Sequence, residues 1–114
     1  MDYKDQLRLL TLNDTDFVDQ LMAHSGSSAP QLDARTLACA RLGALIATGG
    51  SEPSYGVEID AALRAGATEP EIVGILTGIA SVVGVPCVVS AAPDLALALG
   101  FDAELALEQQ DDRC

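Results

Sequence analysis

The sequence predicts an all-α protein, a compact single domain of about five to six helices over residues 1–114 that assembles as an oligomer. Three observations carry that expectation. Apolar residues recur at three- and four-residue spacing, and no strand-like alternation or internal repeat is present. Glycine and proline breaks fall at helix-length intervals, at Ser25–Pro30, Gly49-Gly50, Gly66, Gly84-Val85-Pro86 and Gly100. Helix-start chemistry follows several of those breaks, at Asp33, Ser51 and Thr68.

Residues 1–12 mix Leu7, Leu9, Leu10 and Leu12 with charges and read as an N-terminal arm or short helix that docks on a neighbour. Asn13 or Asp14 caps a helix whose apolar face is Phe17, Val18, Leu21 and Met22, and Ser25–Pro30 is a loop. Asp33 caps the next helix, which runs to Thr48 and stops at Gly49-Gly50. Between Leu37 and Ala47 its only charge is Arg41, so it is expected at the centre of the fold.

Ser51 or Ser54 starts the following helix, with Pro53 in its first turn, and Gly66 ends it. Tyr55, Ile59, Ala62 and Leu63 share one face, while Asp60 and Arg64 are spaced for a solvated pair. Thr68-Glu69-Pro70-Glu71 is a capping box that opens a helix expected to reach Val83. Gly74 and Gly78 lie inside it, each costing about 1 kcal/mol relative to alanine. Close approach of another helix, within or between subunits, is the expected compensation. Pro86 begins the last helix, which Pro93 is expected to kink or split and Gly100 to end. Residues 101–114 form an acidic tail.

Composition narrows the function classes. Of the residues 49% are hydrophobic while only 4% are aromatic, and the mean hydropathy is +0.28, so a small core leaves apolar surface for self-association. A net charge of -11 with six scattered cations opposes nucleic acid and anionic membrane surfaces. The start Met1-Asp2-Tyr3-Lys4-Asp5 has no apolar signal core, and the three cysteines, Cys39, Cys87 and Cys114, form neither a CxxC nor a metal-ligand spacing. A cytoplasmic location is the expectation. Residues Ile72 to Pro93 carry no charge, yet their glycines, Thr77, Ser81 and Ser90 favour two buried helices over a membrane span.

The run Ala61-Ala62-Leu63-Arg64-Ala65-Gly66-Ala67-Thr68-Glu69-Pro70-Glu71-Ile72, with Leu32-Asp33-Ala34-Arg35-Thr36-Leu37 before it, resembles the carboxymuconolactone decarboxylase family, which includes the alkylhydroperoxidase D proteins. The resemblance spans roughly residues 32 to 100. It implies an alkylhydroperoxidase D-like fold, assembly as a homotrimer or homohexamer, pockets between helices and near subunit contacts, and no cofactor. Redox members carry CxxCxxxH where this chain has Ser51-x-x-Ser54-x-x-x-Glu58, and non-redox members carry a glutamate where it has Ala38. A serine hydroxyl cannot undergo thiol–disulfide exchange.

Periodicity puts Glu58 between Tyr55 and Ala62 on the inward side of its helix, unlike Asp60. Its carboxylate is either a partly desolvated general acid or base, or the structural partner of Arg41 or Arg35. Arg41 needs a bidentate carboxylate, from a substrate acid or from Glu58. Tyr55 offers a phenolic hydrogen bond to a ligand or packs at an interface, and Ser51 and Ser54 either cap the helix or bind a ligand. His24, at a helix end, and Cys39, in an apolar helix, have ordinary structural readings beside catalytic ones. Cys87 falls in a helix's first turn, where a thiolate is favoured, with no histidine near it in sequence.

The leading reading is a non-redox enzyme of lyase, decarboxylase or isomerase type acting on a small organic acid or lactone. Glu58 is the catalytic proton shuttle, Arg41 the carboxylate clamp, Tyr55 the orienter, and Ser54 a further substrate contact. No cofactor, metal, nucleic acid or membrane is called for, and the expected partner is the chain itself. One alternative is an oligomeric binding or scaffold protein of the same fold without catalysis. Another is an alkylhydroperoxidase-like or peroxiredoxin-like activity using Cys39 or Cys87, which the missing CxxC opposes.

Overall fold

In the computed structural model, which describes residues 2–23 and 31–101, most helices begin where a side chain takes up a free amide. The first, α1 (Tyr3–Thr11), starts at Asp2, whose carboxylate accepts from the Lys4 amide at 3.1 Å. Asp14 accepts from the Phe17 amide at 2.9 Å and caps α2 (Thr15–Ala23). Asn13 has φ 53°, a left-handed conformation that asparagine tolerates, which leaves the capping to Asp14.

Asp33 accepts from the Thr36 amide at 2.7 Å and opens α3 (Ala34–Thr48). Hydrogen bonds from the Thr36 amide and hydroxyl hold the Asp33 carboxyl below the usual carboxylate range. Gly49 ends α3 at φ 82°, a region that a side chain would strain. Ser51 caps α4 (Glu52–Arg64), and Pro53 sits in its first turn. Thr68 and Glu71 form the complete capping box of α5 (Glu69–Gly78).

The helix expected to run unbroken to Val83 turns at Ile79 and resumes as the short α6 (Ala80–Val83). Gly78 supplies the weak helix propensity at that break. The last helix, α7 (Val85–Ala98), runs through Pro93 without splitting. Proline removes the amide that would reach the Val89 carbonyl, but Pro93 and Val89 are both exposed, so water can take its place. Among the described residues there are seven helices and no strand; the break at Ile79 and the helical form of Tyr3–Thr11 account for the number.

The core is built from three- and four-residue spacings. Ala38, Leu42 and Ile46 come from α3, Tyr55, Ile59 and Ala62 from α4, Ile72 and Leu76 from α5, Ala91 and Leu95 from α7, with Ala67 between helices. Helix α3 touches α4, α5 and α7, which gives it the central place its composition predicts. Leu63 is 39% exposed and drops off the expected α4 face. Helices α1 and α2 pack on each other and bury no residue, leaving Leu7, Leu12 and Met22 exposed. A bond from Gln31 Nε2 to Gln6 Oε1, 3.2 Å, links α1 to the segment before α3.

One expectation about the uncharged stretch, that it forms two buried helices, needs correcting. Residues 72–93 are buried on one side only, with Val73, Val82, Val85 and Val89 exposed. Gly74 and Gly78 are not packed within the protomer, since a Cβ at either would meet nothing within 4 Å. No helix among the described residues is long and apolar enough to cross a membrane. His24, Cys114 and the acidic tail beyond Phe101 lie outside the described residues.

Candidate functional site

The two arginines of α3 reach different neighbours. Arg35 pairs with Glu71 at the start of α5. Arg41 Nη2 donates to Glu58 Oε1 at 3.0 Å and ties α3 to α4. Glu58 borders the buried Tyr55–Ile59–Ala62 stripe, so its side chain is 17% exposed, against 41% for Arg41. Asp60 points to solvent and pairs with Arg64 at 2.9 Å, the arrangement its spacing predicts.

The paired serines of α4 serve its first turn. Ser51 Oγ accepts from the Ser54 amide at 3.4 Å and lies 3.0 Å from Ser54 Oγ. Ser54 is therefore engaged with Ser51, and among the described residues neither Ser54 nor Tyr55 is hydrogen-bonded to Glu58. Ala38 is in the core, with no carboxylate to contribute. Cys39 is half-buried against that core, as expected of a small apolar residue.

Tyr55 belongs to a different feature. Its ring is buried, and it lines a cleft of about 150 Å³ between the end of α3, the start of α4 and the middle of α7. Ile46, Ala91, Cys87, Ser90 and Asp94 line the same cleft, together with the backbone from Ala47 to Gly50. The Cys87 thiol donates to the Ala47 carbonyl at 3.8 Å. Burial, then the charges of Asp94 and Cys87, push the Tyr55 hydroxyl above its usual range. A neutral phenol in that setting can both donate and accept a hydrogen bond.

A sequence model of the carboxymuconolactone decarboxylase family matches residues 15–97, from the first residue of α2 almost to the end of α7. The chain belongs to the carboxymuconolactone decarboxylase family. No curated protein and no solved structure matches it significantly. The match begins earlier than residue 32, so α2 is part of the family unit and α1 lies outside it.

In this carboxymuconolactone decarboxylase family member, the site residues expected from the sequence fall into three places. Arg41 and Glu58 come together, Ser54 joins Ser51 at a helix cap, and Tyr55 faces the cleft on α7. Asp94 and Ser90 were missed as site residues. Asp94 is the first charge after the uncharged run, and that isolation was the available signal. No group of three or more His, Cys, Asp or Glu side chains among the described residues is placed to hold a metal ion.

Proposed function

We propose that the protein is a non-redox small-molecule enzyme of the carboxymuconolactone decarboxylase family, acting on a small organic acid or lactone at the Arg41–Glu58 pair. The observation that carries this reading is the pair itself. It occupies the helix position where the resemblance places the family histidine, and its arginine is open to solvent. The four arginines among the described residues are each matched with a protein carboxylate. An incoming acid must therefore displace one, and Arg41 is the one whose glutamate is the more buried, with 17% of the Glu58 side chain exposed against 40% for Glu71 beside Arg35. Exchange of the ligand carboxylate for Glu58 on Arg41 frees Glu58 Oε1 to accept or return a proton.

Ser51 and Ser54 support the absence of dithiol chemistry, because their hydroxyls hydrogen-bond each other where a redox member needs two thiols. A peroxidase reading through Cys39 or Cys87 has no resolving thiol at that spacing. Ser54 is left as a cap, and Tyr55 as a wall of the adjacent cleft.

A second reading, an oligomeric binding or scaffold protein, is favoured by the closure of the Arg41–Glu58 pair, which leaves neither group free. Both readings include self-association as a trimer or hexamer. The exposed apolar side chains of the uncharged stretch 72–93 and the unburied leucines of α1 support it on a chain of net charge -11.

The test is a screen of hydroxy acids, lactones and aromatic acids by thermal shift, followed by turnover assays on wild type and Glu58→Gln. Stabilising ligands with turnover that Glu58→Gln abolishes support the enzyme. Stabilisation without turnover by any ligand supports the scaffold.

A further inference from the structure

The Tyr55 cleft is separate from the Arg41–Glu58 pair, neither of whose residues lines it. At about 150 Å³ it matches a cavity that holds a benzene-sized molecule. Its lining is divided: Ile46 and Ala91 supply an apolar floor, and Tyr55, Ser90 and Asp94 supply polar groups.

Tyr55 marks the cleft as more than a packing defect. Only 2% of the residue is exposed, yet its hydroxyl makes no hydrogen bond among the described residues. No fully buried side-chain oxygen among those residues lacks a partner, so the phenolic oxygen must reach open space, and the space it lines is this cleft. A ring this buried with a free hydroxyl at a cavity wall is a polar group awaiting a partner.

The electrostatics choose the partner's charge. Asp94 is half-buried and has no ion pair among the described residues, and no lysine, arginine or histidine lines the cleft. The carbonyls of Ile46, Ala47 and Thr48, in the last turn of α3, meet no backbone amide, and that turn carries no basic residue. The Cys87 thiol at Ala47 is a weak donor. The carbonyl end of a helix is the negative end of its dipole and favours a cation. Burial raises the Tyr55 proton affinity first, and the neighbouring Asp94 charge adds to it.

We propose that this cleft binds a small primary alkylammonium ion, its three N–H donors directed at the Asp94 carboxylate, the Tyr55 oxygen and the carbonyl end of α3, and its alkyl chain on Ile46 and Ala91. An ammonium group has three donors and no acceptor, which complements a lining rich in acceptors. The same field repels a carboxylate, so this is not the place where an organic acid binds. The inference does not rest on the reading of Arg41 and Glu58, and either can fail alone.

The test uses the full-length, isotope-labelled chain titrated at neutral pH and fixed ionic strength with n-butylammonium, 1-butanol and butyrate, read by amide chemical shifts. Butylammonium is expected to give saturable shifts centred on residues 47–50 and 87–94, butanol weaker ones, and butyrate none there. Asp94→Asn should weaken butylammonium by about tenfold or more, as expected for losing a charged hydrogen bond. Tyr55→Phe, which keeps the ring, should weaken it by about threefold or more. The proposal is overturned if butyrate saturates the same amides as tightly. It is also overturned if butylammonium shifts only spread over surface carboxylates such as Glu52 and Asp60, or if folded Asp94→Asn binds as well as wild type. Should either variant fail to fold, the ranking of the three ligands on the wild type decides alone.

Discussion

Glu58 is held by Arg41 at 3.0 Å across the α3–α4 contact, and it is the more buried of the two. A pair of this kind lies between the exposed and buried limits, so its energy is set by how much water each partner keeps. With 41% of the Arg41 side chain exposed, solvent still screens the interaction.

Glu58→Gln should therefore destabilise the fold by about 1–2 kcal/mol, more than a surface pair and less than the roughly 3–5 kcal/mol of a fully buried one. Urea denaturation measures it, and the loss should shrink as salt is raised. A change of less than about 0.3 kcal/mol would show that the pair holds nothing together.

The open Gly74 and Gly78 face makes opposite predictions for an isolated protomer and an assembly. In a monomer, a Cβ at Gly78 meets nothing within 4 Å, so Gly78→Leu should stabilise by about 0.5–1 kcal/mol through helix propensity. In an assembly that packs this face, the leucine should lower the mass seen by light scattering while helix content stays the same. We expect the second outcome. A wild type that scatters as 11.8 kDa at low micromolar concentration removes the oligomer from both functional readings.

Dithiol-dependent hydroperoxide consumption should be negligible. Replacing Cys39, Cys87 and Cys114 together with serine should leave any genuine turnover largely intact. Peroxide consumption by the wild type that disappears in a folded triple variant would falsify the non-redox assignment.

Tyr55 keeps its proton above the ordinary tyrosine range, so the folded state binds a proton that the unfolded chain has begun to release. Its contribution to stability is complete below pH 10 and is lost as the pH climbs from the unfolded value toward the folded one. Phenolate absorbance should show a late-ionising component in the wild type that is missing in Tyr55→Phe, whose stability should also fall less over that alkaline interval. An identical titration in both proteins would contradict the buried, anion-flanked environment.

Local chemistry made much of the fold readable. Asp33, Ser51 and Thr68 cap the helices they precede because capping needs only two or three neighbouring residues. Arg41 and Glu58 were legible as partners because a lone charge on an apolar helix has few places to go. Tyr55 was assigned to the Glu58 site because three residues apart on a helix reads as one face. The structure turns it toward α7, and that depends on how Cys87, Ser90 and Asp94 stack over the end of α3. No sequence spacing encodes that stacking. The Ile79 break was hidden for a related reason: Gly78 weakens a helix wherever it stands, and only the surrounding packing determines whether the chain turns there.

Glu71 uses both of its carboxylate oxygens, Oε1 on the amide and hydroxyl of Thr68 and Oε2 on Arg35. One side chain thus fastens the beginning of α5 and secures that helix to α3. Fraying of the first turn and separation of the two helices are thereby linked, because each contact helps to hold the carboxylate where the other needs it. The joint thus connects the cap at Thr68 to Arg35 at the start of the central helix.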